Sequence, residues 1–214
     1  MRIAIAGGHG KIGQRLIPRL IERGHEVRSL DRKPEYGDEL RTLGAEPAVC
    51  DLESANEEEV AAAVGSVDAV IFSAGAGAGS GPERKWTMDY GGAVKLIEAA
   101  KANGVDRYLM VSSVGADPDV AGDDTFAVYL RAKGKADAEL QGSGLDYTIV
   151  RPHGLSDDPG AGRVELGEGL DRGQIPRDDV AEILAASLGA SDTIGQTFEA
   201  RSGETPIEEA IASL

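Results

Sequence analysis

A short apolar run over residues 2–6 that breaks into glycines at 7, 8, 10 and 13 constrains this chain more than any other feature. Gly7, Gly10 and Gly13 lie three apart, and the stretch 12–23 that follows puts Leu16, Leu20 and Ile21 on one helical face. In a strand–turn–helix unit the first glycine permits the turn and the second lets backbone approach a pyrophosphate. The third lets helix and strand pack closely. Helix N-terminal N–H groups then face the phosphates. The pattern predicts a dinucleotide held at Gly7, Gly10, Lys11, Ile12 and Gly13. His9 sits in the same loop, either as a phosphate contact or as an exposed loop residue.

The rest of the chain repeats strand and helix. Strands are expected over 26–30, 46–50, 67–72, 107–111, 147–150 and 197–200, with helices over 85–103, 125–141 and 177–188. Ser54 to Glu57 has capping-box spacing for a helix ending at Val64, and Thr205-Pro206-Ile207-Glu208 has it for the last helix, with proline at the first position. Continuous apolar strands joined by helices imply a parallel sheet covered on both faces. The expectation is a single α/β domain over 1–214, a doubly wound parallel sheet of the Rossmann type, with a short substrate-side region from about 152 onward. The ligand crevice belongs at the carboxyl ends of the strands. The glycine-rich stretch 74–81 reads as a loop inside the domain.

Composition narrows the partners. A net charge of −15 argues against nucleic acid or an anionic membrane, and no apolar run has the length of a membrane span. Cys50 stands alone, so it forms no internal disulfide, and with three histidines it gives no basis for a metal site. A reducing, cytoplasmic setting fits, with a small molecule as partner; oligomeric state is not legible. Seven lysines against 37 acidic residues suit either adaptation to high salt or an acidic surface that keeps the protein soluble.

Three clusters carry chemistry. The second strand runs into Asp31-Arg32-Lys33, where an acid suits the ribose hydroxyls of NAD and an arginine the 2′-phosphate of NADP. Asp51 either caps the adenine edge or is a turn aspartate. Tyr129 and Lys133 lie one helical turn apart, where a cation stabilises a phenolate and lowers a phenol pKa. Ser112 and Ser113 end the preceding strand, and either hydroxyl is placed to bond a substrate oxygen.

With GGHGKIG, CDL at 50–52, FSAGAG at 72–77, DYGGAVKLIEAAK at 89–101, VSSVGAD at 111–117, YLRAK, LDYTIVRPHGL at 145–155, IPRDDVAE and SGETPIEEA, the whole chain resembles an atypical short-chain dehydrogenase/reductase. It is similar to the NAD(P)H-binding, sugar-epimerase-like group and, more distantly, to biliverdin-IXβ/flavin reductases. The resemblance implies Tyr129 as acid/base, Lys133 on the nicotinamide ribose, and Ser113 as the active serine with Ser112 as the alternative. It implies Asp51 and Leu52 at the adenine, Ala74 and Gly75 as backbone passing the cofactor, and Pro152 and His153 in the loop beside nicotinamide. A loop-packing role for His153 is preferred. Two departures stand out: Asp89 replaces the asparagine of extended members, which bears on any water relay, and the region after Pro152 is short for a sugar-nucleotide pocket. The expectation is an oxidoreductase using NADP in mild preference to NAD, moving hydride to or from a small carbonyl-type substrate. Epimerisation or dehydration through a transient ketone would use the same parts. The alternative is an NAD(P)H-binding redox sensor with little turnover.

Overall fold

The computed structural model describes residues 1–77 and 79–214. Along β1 (Arg2–Ala6), Ile3 and Ile5 enter the core on one face of the sheet, and Ala4 and Ala6 enter that on the other. The period of two thus buries both faces of a central strand. There follow α1 (Gly13–Glu22), β2 (Glu26–Asp31), α2 (Gly37–Thr42), β3 (Glu46–Val49), α3 (Glu57–Val64) and β4 (Ala69–Phe72). Next, α4 (Pro82–Arg84), a π-helical turn over Lys85–Tyr90 and α5 (Gly91–Ala102) run end to end into β5 (Arg107–Val111). After α6 (Thr125–Gly142) and β6 (Asp146–Pro152) come β7 (Gly154–Ser156), β8 (Arg163–Gly167) and β9 (Gln174–Pro176). The chain ends with α7 (Arg177–Ser187), β10 (Gln196–Ser202), β11 (Thr205–Pro206) and α8 (Ile207–Ile211).

Nine strands make one sheet in the order β11-β8-β10-β6-β5-β4-β1-β2-β3. From β10 to β3 every pairing is parallel, whereas β8 and β11 join antiparallel at the far edge. Leu16, Ile17 and Leu20 of α1 meet Val180, Ile183 and Leu184 of α7 on one face. Val60 of α3, Leu96 and Ile97 of α5 and Leu140 of α6 cover the other. The doubly wound, Rossmann-type arrangement predicted from the sequence is therefore what the chain adopts. Among the described residues, no helix is long and apolar enough to cross a membrane.

Several local expectations are corrected. The cap of α3 is Asn56, whose side chain accepts from the Glu59 amide while Glu59 accepts from the Asn56 amide, both at 2.9 Å. Ser54 and Ala55 instead turn back onto the Asp51 carbonyl. Thr205 and Pro206 pair with β8, so Pro206 precedes the last helix without a capping box. Between Pro152 and α7 lie three strands where none was expected, and α2 lies where no helix was expected. The helix expected over 85–103 starts three residues earlier and passes through the π turn.

Candidate functional site

The strand order reverses between β1 and β4, and the loops leaving β1, β2, β4 and β5 open there. Two cavities meet at the loop 73–77, which walls both: one of about 280 Å³ toward β2 and β3, one of about 720 Å³ toward β5 and α6.

The smaller cavity is built on backbone. Gly7 takes φ +86°, and a Cβ there would lie 2.8 Å from the Cα of Ala74. A Cβ on Gly13 would fall 2.5 Å from the Gly7 carbonyl oxygen and the Gly8 Cα, so only glycine lets α1 start this close to β1. Gly10 donates its amide to the Gly7 carbonyl and itself lines the cavity. Lys11 turns outward to Asp157, and Ile12 lines the larger cavity. Asp31 accepts from the Ser29 hydroxyl at 2.6 Å and the His9 amide at 3.1 Å. Burial raises its pKa, against those two hydrogen bonds, which lower it. Arg32 lines the cavity. Lys33 does not: it pairs with Glu35 at 3.2 Å and lies over the Tyr36 ring. His9 stacks on Tyr36 with ring centroids 3.5 Å apart, and its Nε2 lies 2.8 Å from Glu39. Asp51 and Leu52 line the wall, and the Asp51 carboxylate also caps its own turn at the Glu53 amide.

The larger cavity is built on side chains. Tyr129 and Lys133 both line it. Lys133 is only 3% exposed; its ammonium donates to the Val111 carbonyl at 3.0 Å, lies 3.5 Å from Asp89 and sits over the Phe72 ring. Asp89 in turn accepts from the Ala76 amide at 3.2 Å, so the lysine's counter-ion also fixes the shared loop. Ser112 lines the cavity but donates its hydroxyl to Asp137 at 2.9 Å. Arg151 holds the same Asp137 oxygen at 2.8 Å, while the other carboxylate oxygen is buried without a partner among the described residues. Burial raises the Asp137 pKa, opposed by Ser112 and Arg151. Ser113, the serine favoured by the resemblance, is not on the cavity wall and donates to the Val114 carbonyl. Pro152 is a strand residue paired with Ala200, and His153 is buried against Glu199 at 3.3 Å. Both lie off the two cavity walls.

Bare glycine backbone at a helix N-terminus, continuous with a cleft long enough to carry a phenol and an ammonium at its other end, fits a dinucleotide. A family model described as NAD(P)H-binding matches residues 7–191. This chain belongs to the NAD(P)H-binding family. The match begins at Gly7 and takes in both cavities. The chain is 40% identical to the uncharacterized sugar epimerase YhfK of Bacillus subtilis, with 100% of each chain covered. It superposes with a TM-score of 0.92 on a Bacillus halodurans protein provisionally described as an NAD-dependent epimerase/dehydratase, 40% identical with 100% of both chains covered. The anaerobillin reductase ChuY of Escherichia coli O157:H7 matches with a TM-score of 0.80 at 25% identity, covering 94% of this chain and 97% of that one.

Sequence reasoning missed the π-helical turn. Arg84 donates to the Ala76 carbonyl at 2.7 Å, and Lys85 donates to the Gly77 carbonyl at 3.1 Å. With Asp89 they clamp the shared loop from one helical stretch. The available signal was Glu83-Arg84-Lys85 directly after Gly81-Pro82, a lysine spent beside a glycine loop in a chain with only seven.

Proposed function

We propose that this NAD(P)H-binding protein is an oxidoreductase acting on a small carbonyl-type substrate, with Tyr129 as proton donor and acceptor. The observation that carries the reading is the shared loop 73–77: one cleft runs from the glycine turn past Ala74 and Gly75 to Tyr129 and Lys133. Nicotinamide, when bound, supplies or takes up a hydride. Gly7, Gly10 and Gly13 hold the pyrophosphate, Asp31 and Arg32 the adenosine ribose, and Asp51 and Leu52 the adenine side. Lys133, fixed by Asp89 and the Val111 carbonyl, holds the nicotinamide ribose and stabilises the Tyr129 phenolate. Tyr129 faces the larger cavity, where it gives a proton to the carbonyl oxygen or removes one from an alcohol. Ser112 rather than Ser113 accompanies it, because only Ser112 lines that wall. The relatives described as epimerase or epimerase/dehydratase, and the reductase ChuY, are compatible with one such proton-and-hydride site. NADP is preferred over NAD because Arg32 lines the cavity, though mildly, because Asp31 lies beside it and repels a 2′-phosphate.

A second reading has its own observation: the Ser112 and Ser113 hydroxyls both already donate within the protein, which suits an NAD(P)H-binding sensor with little turnover. The test is to titrate NADPH and NADH, then follow nicotinamide absorbance with carbonyl, quinone, flavin and nucleotide-sugar substrates. Turnover on any of them is the expected result. Tight binding with no turnover on the whole panel overturns the oxidoreductase reading in favour of the sensor.

A further inference from the structure

Two lysines near the crevice, Lys95 half-buried and Lys85 buried, place an ammonium among backbone carbonyls in different ways. Lys95 donates to the carbonyls of Leu52, Glu53 and Ala55, at 2.9, 3.2 and 2.6 Å, so its three protons are all used by backbone. It is a strut. Lys85, 8% exposed, donates to the Gly77 carbonyl at 3.1 Å and the Ser80 hydroxyl at 2.9 Å, and lies 5.5 Å from the centroid of the Tyr129 ring. Among the described residues no carboxylate is within salt-bridge distance of it, in a chain of net charge −15. It lines the larger cavity; Lys95 does not.

The charges on that wall do not cancel. Asp89 is engaged by Lys133 and by the Ala76 amide, so its charge is answered within the protein. Lys85 is left as an uncompensated cation in a sheltered place, where attraction to an anion is stronger than in bulk water. Around it the wall mixes the hydroxyls of Ser80, Thr125 and Tyr129 with apolar groups, and two of these are large hydrophobic side chains held open to solvent: Phe126, 64% exposed, and Leu155, 39% exposed. Exposed hydrophobics beside a large cavity mark a binding surface more often than a folding error.

We infer that Lys85 is the residue that selects the substrate, binding a carboxylate on an otherwise apolar carbonyl compound whose flat body rests against Phe126 and Leu155. This deepens the oxidoreductase reading and rests on it for the carbonyl, though not for the anion. The carboxylate takes the proton of Lys85 not engaged by Gly77 and Ser80, and leaves the carbonyl end toward Tyr129.

The probes are 4-carboxybenzaldehyde and its methyl ester, titrated calorimetrically into the protein with and without NADP+. The acid is expected to bind about 10- to 100-fold more tightly than the ester, the worth of one hydrogen bond between charged groups. Lys85→Met should erase the difference by weakening the acid alone, and Lys85→Arg should retain most of it. If Lys85→Met does not fold, Lys85→Gln keeps a donor for Gly77 and Ser80 without the charge and must likewise erase it. Equal binding of acid and ester by the unaltered protein overturns the inference, as does a preference that survives removal of the charge. Because the titration reads binding, selective binding of the acid with no oxidation of NADPH across the whole substrate panel would sink only the oxidoreductase reading. Hydride transfer with no preference for the acid would sink only the role of Lys85.

Discussion

The two ends of the crevice are made by different means. At the β2 side glycine backbone approaches the ligand, and the charged side chains Asp31, Arg32 and Asp51 stand around it, Asp31 bonded to an amide and a hydroxyl. At the α6 side the wall is set by ionic side chains: Lys133 on Asp89, and Ser112 bonded to the Asp137–Arg151 pair behind it. Backbone surfaces suit a ligand part common to all dinucleotides, since they are fixed by turn geometry and carry little chemical choice. Side-chain charges sit where the reaction and its specificity must be set, and they can be altered one atom at a time. The ends should therefore respond separately to mutation.

The largest separation is expected from Tyr129→Phe. The ring stays, so packing against Phe126 survives, and the glycine turn is untouched. Turnover should fall by roughly 10²–10⁴-fold, with dinucleotide affinity unchanged by titration. Full activity would mean that the proton comes from elsewhere and that the two ends do not divide the labour as described.

Next comes Asp89→Ala. It strands the Lys133 ammonium in a place 3% exposed, and removing one member of a buried ion pair costs about 3–5 kcal/mol. Denaturant unfolding should show that loss, with Asp89→Asn milder because the amide still accepts from Ala76. A loss below ~1 kcal/mol would show that the Val111 carbonyl and the Phe72 ring hold the lysine without a counter-ion.

Arg32→Ala acts at the other end and on one cofactor only. NADPH affinity should drop about 10- to 100-fold, the range for a hydrogen bond to a charged group, while NADH binding barely moves. Tighter NADH than NADPH binding in the unaltered protein would show that Asp31 governs the choice.

Salt should have the smallest effect and touch neither end in particular. Screening of 37 acidic groups against 22 basic ones should raise the melting temperature from dilute buffer to molar potassium chloride. A flat or falling melting curve removes high-salt adaptation and leaves the acidic surface as a solubility device.

The same contrast explains what could be read beforehand. Gly7, Gly10 and Gly13 announce their geometry because no other residue tolerates the contacts that Gly7 and Gly13 make. The parallel strands announce themselves by unbroken apolar runs, and Tyr129 and Lys133 by helical spacing. Ser112 and Ser113 were ranked only by the resemblance, which favoured Ser113, because adjacent residues at a strand end differ only in which way the chain turns next. Lys33 reads in the sequence as a second cation beside Arg32, until Glu35 and Tyr36 are seen to engage it. Lys85 and Asp89 have the same four-residue spacing as Tyr129 and Lys133, but spacing does not tell which loop they reach, and only the structure shows both on residues 76 and 77.

The π-helical turn makes chain length a determinant of the site. Over Lys85–Tyr90 the helix accommodates about one residue more than an α-helix would, and each residue of an α-helix advances by about 100°. Deleting a single residue there would let the segment relax to regular α-helix while α5 stays docked on the sheet. Lys85 and Arg84 would then swing about a quarter-turn or more away from the Gly77 and Ala76 carbonyls. For this molecule, one missing codon in that segment is a more drastic edit than any replacement, since it withdraws the loop's clamps together and leaves the fold in place.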